Sequence, residues 1–162
     1  MSIAAPSSSL APPDRLPSLT LVDLAERFGN IPATRICLSP SPGQATEEDL
    51  LYYDDHEDRL FELVDGTLIE KTMGNYESHI AGIIFARLFN YLVANPIGVS
   101  IYGDTQLKLR RGAIRLPDVG FLSNERARQS GYPRSQKVAA VAPNLAVEVI
   151  SEMPLTHLPV HA

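Results

Sequence analysis

The chain has 162 residues, a hydrophobic fraction of 44 %, a charged fraction of 20 % and a formal net charge of −5. That length is one domain's worth. The composition excludes a collagen-like, wholly disordered or membrane-spanning chain, because no apolar run approaches the ~20 residues that a spanning helix needs. The acidic balance favours solubility and gives no reason of its own to expect a nucleic-acid partner; the N-terminus, without a basic start or a continuous apolar centre, does not read as a secretory signal, so a cytoplasmic protein is expected.

Seven of the 13 prolines precede Gln44, together with Ser7, Ser8 and Ser9, so residues 1–17 read as a flexible tail that cannot bury enough apolar surface to fold. Residues 18–45 read as an extension docking on the main body. Within it, Leu21, Leu24, Ala25 and Phe28 make an apolar stripe and predict a short helix over 19–28, stopped at Gly29-Asn30. The single cysteine, Cys37, excludes an internal disulfide and a cysteine-cluster metal site, and its plainest reading is a lone buried thiol.

A short acidic helix is predicted from Ala45 to Leu51, with Thr46 as N-cap and Glu47, Glu48 and Asp49 in the first turn. The stretch RLFELVDGTLIEKT follows, and Asp65-Gly66 between its apolar halves predicts a hairpin with Glu62 on the incoming strand. From Tyr76 to Val93, Ile80, Ile84, Leu88 and Leu92 recur at helical spacing, and Asn95-Pro96 ends the run. Strands are predicted at Val99 to Tyr102, Gln106 to Arg110, and Pro117 to Leu122; in the second, Leu107 and Leu109 share one face and Lys108 and Arg110 the other. Ser123 to Pro143 reads as a long basic loop, and Asn144 to Ile150 as a last strand. The elements describe a mixed chain, α+β or α/β.

Charge is unevenly placed along this order. Thr46 to Glu62 carries eight acids against Arg59 alone, Gly103 to Lys137 carries eight basic residues against three acids, and no lysine or arginine follows Lys137. The basic stretch, with Lys108, Arg110, Arg111 and Arg115, reads first as a solvated rim that neutralises the acidic segment; the alternative is that it tracks a phosphate backbone.

Two acids stand where acids are costly: Asp118 in IRLPDVGFL and Glu148 in LAVEVI. A carboxylate flanked by apolar residues needs a partner, a strong hydrogen bond or a metal. If their strands are neighbours, the two would converge on a hard divalent cation held through oxygen. Otherwise each faces solvent at a sheet edge or pairs with an arginine such as Arg115. His157 and His161 have metal-like spacing, but Pro159 between them argues against a helix, and they read as tail content.

FELVDGTLIEKTMG, the helix after it, IRLPDVGF and APNLAVEVISE together resemble the Uma2 family of restriction endonucleases, in the PD-(D/E)XK nuclease superfamily, and LVDLAERFGNIPATRICLSPSPGQATEEDLL resembles the N-terminal extension of some members. The resemblance implies a restriction-endonuclease-like core over 46–152, a long helix on a central mixed sheet, hydrolysing phosphodiester bonds with Mg²⁺ or Mn²⁺. It implies Asp118 and Glu148 as metal-binding catalytic acids and Glu62 as a further acid of the site. Glu77 is a weaker candidate, read first as a first-turn partner of the helix dipole. DNA is the implied partner, a homodimer a further assembly to consider, and no membrane is involved. The position two after the second acid, lysine in the superfamily, is Ile150. The pattern breaks after Ser151-Glu152, so 153–162 reads as a divergent tail. The expectation is a C-terminally truncated copy with little or no activity, the alternatives being a non-catalytic DNA-binding remnant or a structural fragment.

Overall fold

Two compact units, residues 1–33 and 34–162, make up the chain, and the computed structural model describes residues 20–57, 59–132 and 137–150. The assigned tails and both His157 and His161 lie outside the described residues. In the first unit Thr20 caps helix α1 (Leu21–Arg27): its hydroxyl accepts from the Asp23 N–H, and the Asp23 carboxylate accepts from the Thr20 N–H. This reciprocal capping box satisfies donors that a helix start leaves unpaired.

The first α-helix of the second unit uses the same device. Thr46 and Asp49 cap α2 (Glu47–His56), which runs past the predicted Leu51 because Leu50, fully buried, and the rings of Tyr53 and Phe61 pack it down. Strands β1 (Phe61–Val64) and β2 (Thr67–Glu70) form the predicted hairpin, and Asp65 (φ 48°) and Gly66 (φ 74°) both take the left-handed conformation that a two-residue turn between twisted strands requires. Helix α3 (Asn75–Ala94) is the long predicted helix, ending before Pro96.

Then come β3 (Gly98–Tyr102), β4 (Gln106–Arg110), β5 (Ala113–Arg115) and β6 (Val119–Ser123). The predicted basic loop holds two elements, α4 (Asn124–Ser130) and β7 (Val138–Ala139). Ser123 caps α4 and Gly131, at φ 70°, ends it. The last strand, β8, is only Leu145–Val147.

The architecture is α+β, as expected. One sheet is mixed and five-stranded, ordered β2-β1-β5-β4-β7, with β7 parallel to β4; the other is antiparallel, ordered β3-β6-β8. Helix α3 rests against β3 and β6 of the antiparallel sheet. Its predicted line faces inward, with Leu92 buried and Ile80, Ile84 and Leu88 half-buried, whereas Ile83, Phe89, Tyr91 and Val93 elsewhere on the helix are exposed.

Leu50, Phe61, Leu63, Leu68 and Ile114 form the core between α2 and the mixed sheet. Ile101, Leu107, Leu122 and Ala127 form a second core. Each of the leucine, isoleucine and phenylalanine side chains contributes about 1.5–3 kcal/mol on burial. Leu107 is fully buried but Leu109 is 42 % exposed, against the predicted common face, because a bulge between Lys108 and Arg110 interrupts the alternation of β4.

Candidate active site

Asp118 ends the approach to β6 between Leu116 and Val119, both almost fully buried, and is itself 4 % exposed. Glu148 follows β8. Because Val119 pairs with Val147 in an antiparallel register, the residue before Val119 and the residue after Val147 lie at the same end of the pair. The two acids that the apolar flanks singled out are thereby brought together.

What joins them is Lys71, the residue directly after β2. Its ammonium nitrogen lies 2.9 Å from Asp118 Oδ1 and 2.6 Å from Glu148 Oε2. The other Asp118 oxygen accepts the Val149 N–H at 2.6 Å. Burial pulls the Lys71 ammonium down, but its contacts with the Glu148 and Asp118 carboxylates outweigh this and hold it above the ordinary lysine range. Burial pushes the Glu148 carboxyl above its ordinary value despite Lys71, and the charges of Asp118 and Glu62 push the same way.

Glu62, buried on β1, stands close enough to be felt by Glu148 but is engaged elsewhere: one oxygen accepts the Leu116 N–H at 2.9 Å and the other lies 2.9 Å from the Arg115 guanidinium. Arg115 thus serves Glu62; neither Asp118 nor Glu148 takes it. Glu77 folds back over Gly74, so close that a Cβ there would stand 2.2 Å from its carboxylate oxygen, which puts its charge at the start of α3. Asp118 and Lys71 help to line a cleft of about 220 Å³, together with Met73, Tyr102, Asp104 and Leu116.

The basic residues are mostly paired with acids. Lys108 binds Glu47, Arg110 lies 2.9 Å from Asp65, and Lys137 binds Asp54 and Asp55. Arg111 is exposed and has no acidic partner among the described residues. The Cys37 thiol, half-buried, donates to the Ser39 carbonyl at 3.0 Å and lies 3.5 Å from the Tyr53 hydroxyl.

Among the described residues, no group of three or more His, Cys, Asp or Glu forms a metal cage. A hard cation needs less, since Mg²⁺ is commonly held by one or two carboxylates together with substrate phosphate and water. The donor chemistry fits: two carboxylates share one cation already, and Asp118 Oδ1 is buried without a hydrogen bond of normal geometry, its neighbour being the Lys71 ammonium. Sequence reasoning missed Lys71, because nothing in the local pattern of β2 marks a residue that meets its partner 77 positions later.

Residues 46–153, two thirds of the chain, match the model of the Uma2 family, whose description is "Putative restriction endonuclease". No curated protein matches the chain. No helix among the described residues is long and apolar enough to cross a membrane.

Proposed function

Because the chain belongs to the Uma2 family, we propose that its second unit is a DNA endonuclease domain in which Asp118 and Glu148 hold Mg²⁺ or Mn²⁺ at the mouth of the cleft. The observation that carries this reading is the meeting of both acids at one nitrogen, at the shared end of adjacent strands. A divalent cation held there supplies charge neutralisation on a phosphate and a water more easily deprotonated than bulk water.

The chain's own residues divide the remaining work. The Val149 N–H fixes Asp118 by one oxygen and leaves the other directed at the shared cation. Glu62 braces the segment before Asp118 through Leu116. Exposed Arg111, with Lys108, Arg110 and Arg115 behind their acidic partners, would meet the DNA backbone. Position 150, where the superfamily carries lysine, is Ile150 and supplies no charge. Loss of one group that stabilises transition-state charge typically costs about 10²–10³ in rate, so turnover on DNA is expected to be low.

Calorimetric titration of Mg²⁺ or Mn²⁺ into the wild type and Asp118→Ala tests the reading directly. Binding heat that disappears in the variant supports it, and equal, negligible heats in both end it. Ile150, which leaves the motif position uncharged, favours a second reading, a domain that binds DNA without cutting it; salt-sensitive binding with no nicking of supercoiled plasmid in Mn²⁺ would select it.

A further inference from the structure

Lys71 is the ammonium nearest the acids, and its position departs from the motif position at Ile150. We propose that Lys71 is an exchangeable internal cation: it occupies the space between Asp118 and Glu148, and a divalent cation entering the pair displaces it into the adjoining cleft. The inference rests on the metal-binding reading of those two acids.

Three features carry it. First, two carboxylates converge, one of them buried, and such a pair is costly without a cation. Lys71 offsets one of the two charges and leaves a residual negative charge that still attracts a cation. Second, Asp118 does not depend on Lys71 for its placement, and Glu148 is open to an incoming ion. Asp118 Oδ2 is held by the Val149 N–H, and Glu148 is about half exposed at the end of β8. Asp118 Oδ1 contacts the ammonium without a directional hydrogen bond, so charge holds it there and a stronger charge can replace it. Third, the ammonium has somewhere to go. Lysine carries its charge on a flexible four-carbon stem, and the cleft beside it is lined in part by Tyr102 and a further acidic residue, Asp104. After exchange the positive charge of Lys71 faces the open cleft, where a bound phosphate would lie.

The test titrates Mn²⁺ alone into wild type, Lys71→Met, Lys71→Arg and Asp118→Asn, followed by calorimetry. Lys71→Met is expected to bind Mn²⁺ at least about tenfold more tightly than wild type, Lys71→Arg to stay near wild type, and Asp118→Asn to lose the heat. If Lys71→Met binds no better than wild type while Asp118→Asn still loses the heat, the exchange is wrong and the metal site stands. If no protein gives heat that depends on Asp118, both fall.

A second measurement needs only the wild type, in case Lys71→Met does not fold. The chain has three lysines, Lys71, Lys108 and Lys137, so Lys108 and Lys137 serve as internal standards for an amine-acylating reagent read by peptide mass spectrometry. Acylation of Lys71 is expected to rise several-fold relative to both when Mn²⁺ is added. Unchanged or lower labelling in the presence of bound Mn²⁺ overturns the proposal.

Discussion

Glu62 accepts a hydrogen bond from the backbone N–H of Leu116 at 2.9 Å, and that bond ties β1 to the segment two residues ahead of Asp118. The carboxylate is buried, and its other oxygen is held by Arg115. Glu62→Ala leaves a buried N–H without an acceptor and removes a charge-assisted bond, so a loss of about 2–3 kcal/mol is expected. Glu62→Gln keeps an acceptor and should lose about half as much. Urea midpoints should run wild type, Gln, Ala in descending order; equal midpoints for Gln and Ala would show that the Leu116 N–H is not the anchor.

Gly66 and Gly112 share a φ of +74° in different surroundings. A Cβ at Gly66 would stand 2.5 Å from the Gly43 carbonyl oxygen, whereas one at Gly112 meets nothing within 4 Å. Gly112→Ala carries only the left-handed cost of about 1–2 kcal/mol. Gly66→Ala adds a backbone clash, bringing the expected loss to about 2–4 kcal/mol. Similar melting temperatures for the two variants would refute this contrast.

The Arg59 guanidinium donates to both oxygens of Glu70, at 3.0 and 2.8 Å, and this pairing holds the Glu70 carboxyl below its ordinary value of 4.5. A carboxyl depressed in the folded state stabilises the protein at pH above its unfolded value, and that contribution disappears as pH falls through the lower folded value. Arg59→Met should therefore be less stable than wild type near neutrality, with the difference shrinking once the pH drops below 4.5. Denaturant titrations of both proteins across that range check it; a gap that widens in acid would contradict the assignment.

If the basic stretch meets DNA, its members should not count equally. Arg111 is unpaired with any acid among the described residues, while Lys108 must first leave Glu47. Arg111→Ala should reduce the slope of log affinity against log salt by about 1, and Lys108→Ala by less. Fluorescence anisotropy on a short duplex at several salt concentrations measures both. Identical slopes for wild type and Arg111→Ala would remove Arg111 from the interface.

The parts legible in the sequence are those that local chemistry decides. Asp65-Gly66 needs only its own backbone angles to make a turn, and α3 announces itself by four turns of apolar spacing before a proline. Helix α4 is hidden because Ala127 is its one buried residue, so it has caps at Ser123 and Gly131 but no stripe. Strands β5 and β7, of three and two residues, are too short to show a period. The candidate site divides likewise. Asp118 and Glu148 stand out because acids in apolar runs are costly, and pairing of β6 with β8 brings them together. Lys71 follows a strand of the other sheet, and only tertiary structure makes it their neighbour.

The three-residue strand β8 has a consequence in time. It brings Glu148 to Asp118 and the Val149 N–H to the same carboxylate, and it is the last described strand of the unit. During synthesis a chain leaves the ribosome at about 5–20 residues per second, N-terminus first. Lys71 and Asp118 are therefore both available to each other for seconds before Glu148 emerges. An ion pair formed between them in that interval would be one-to-one, and the surplus negative charge comes later, with Glu148.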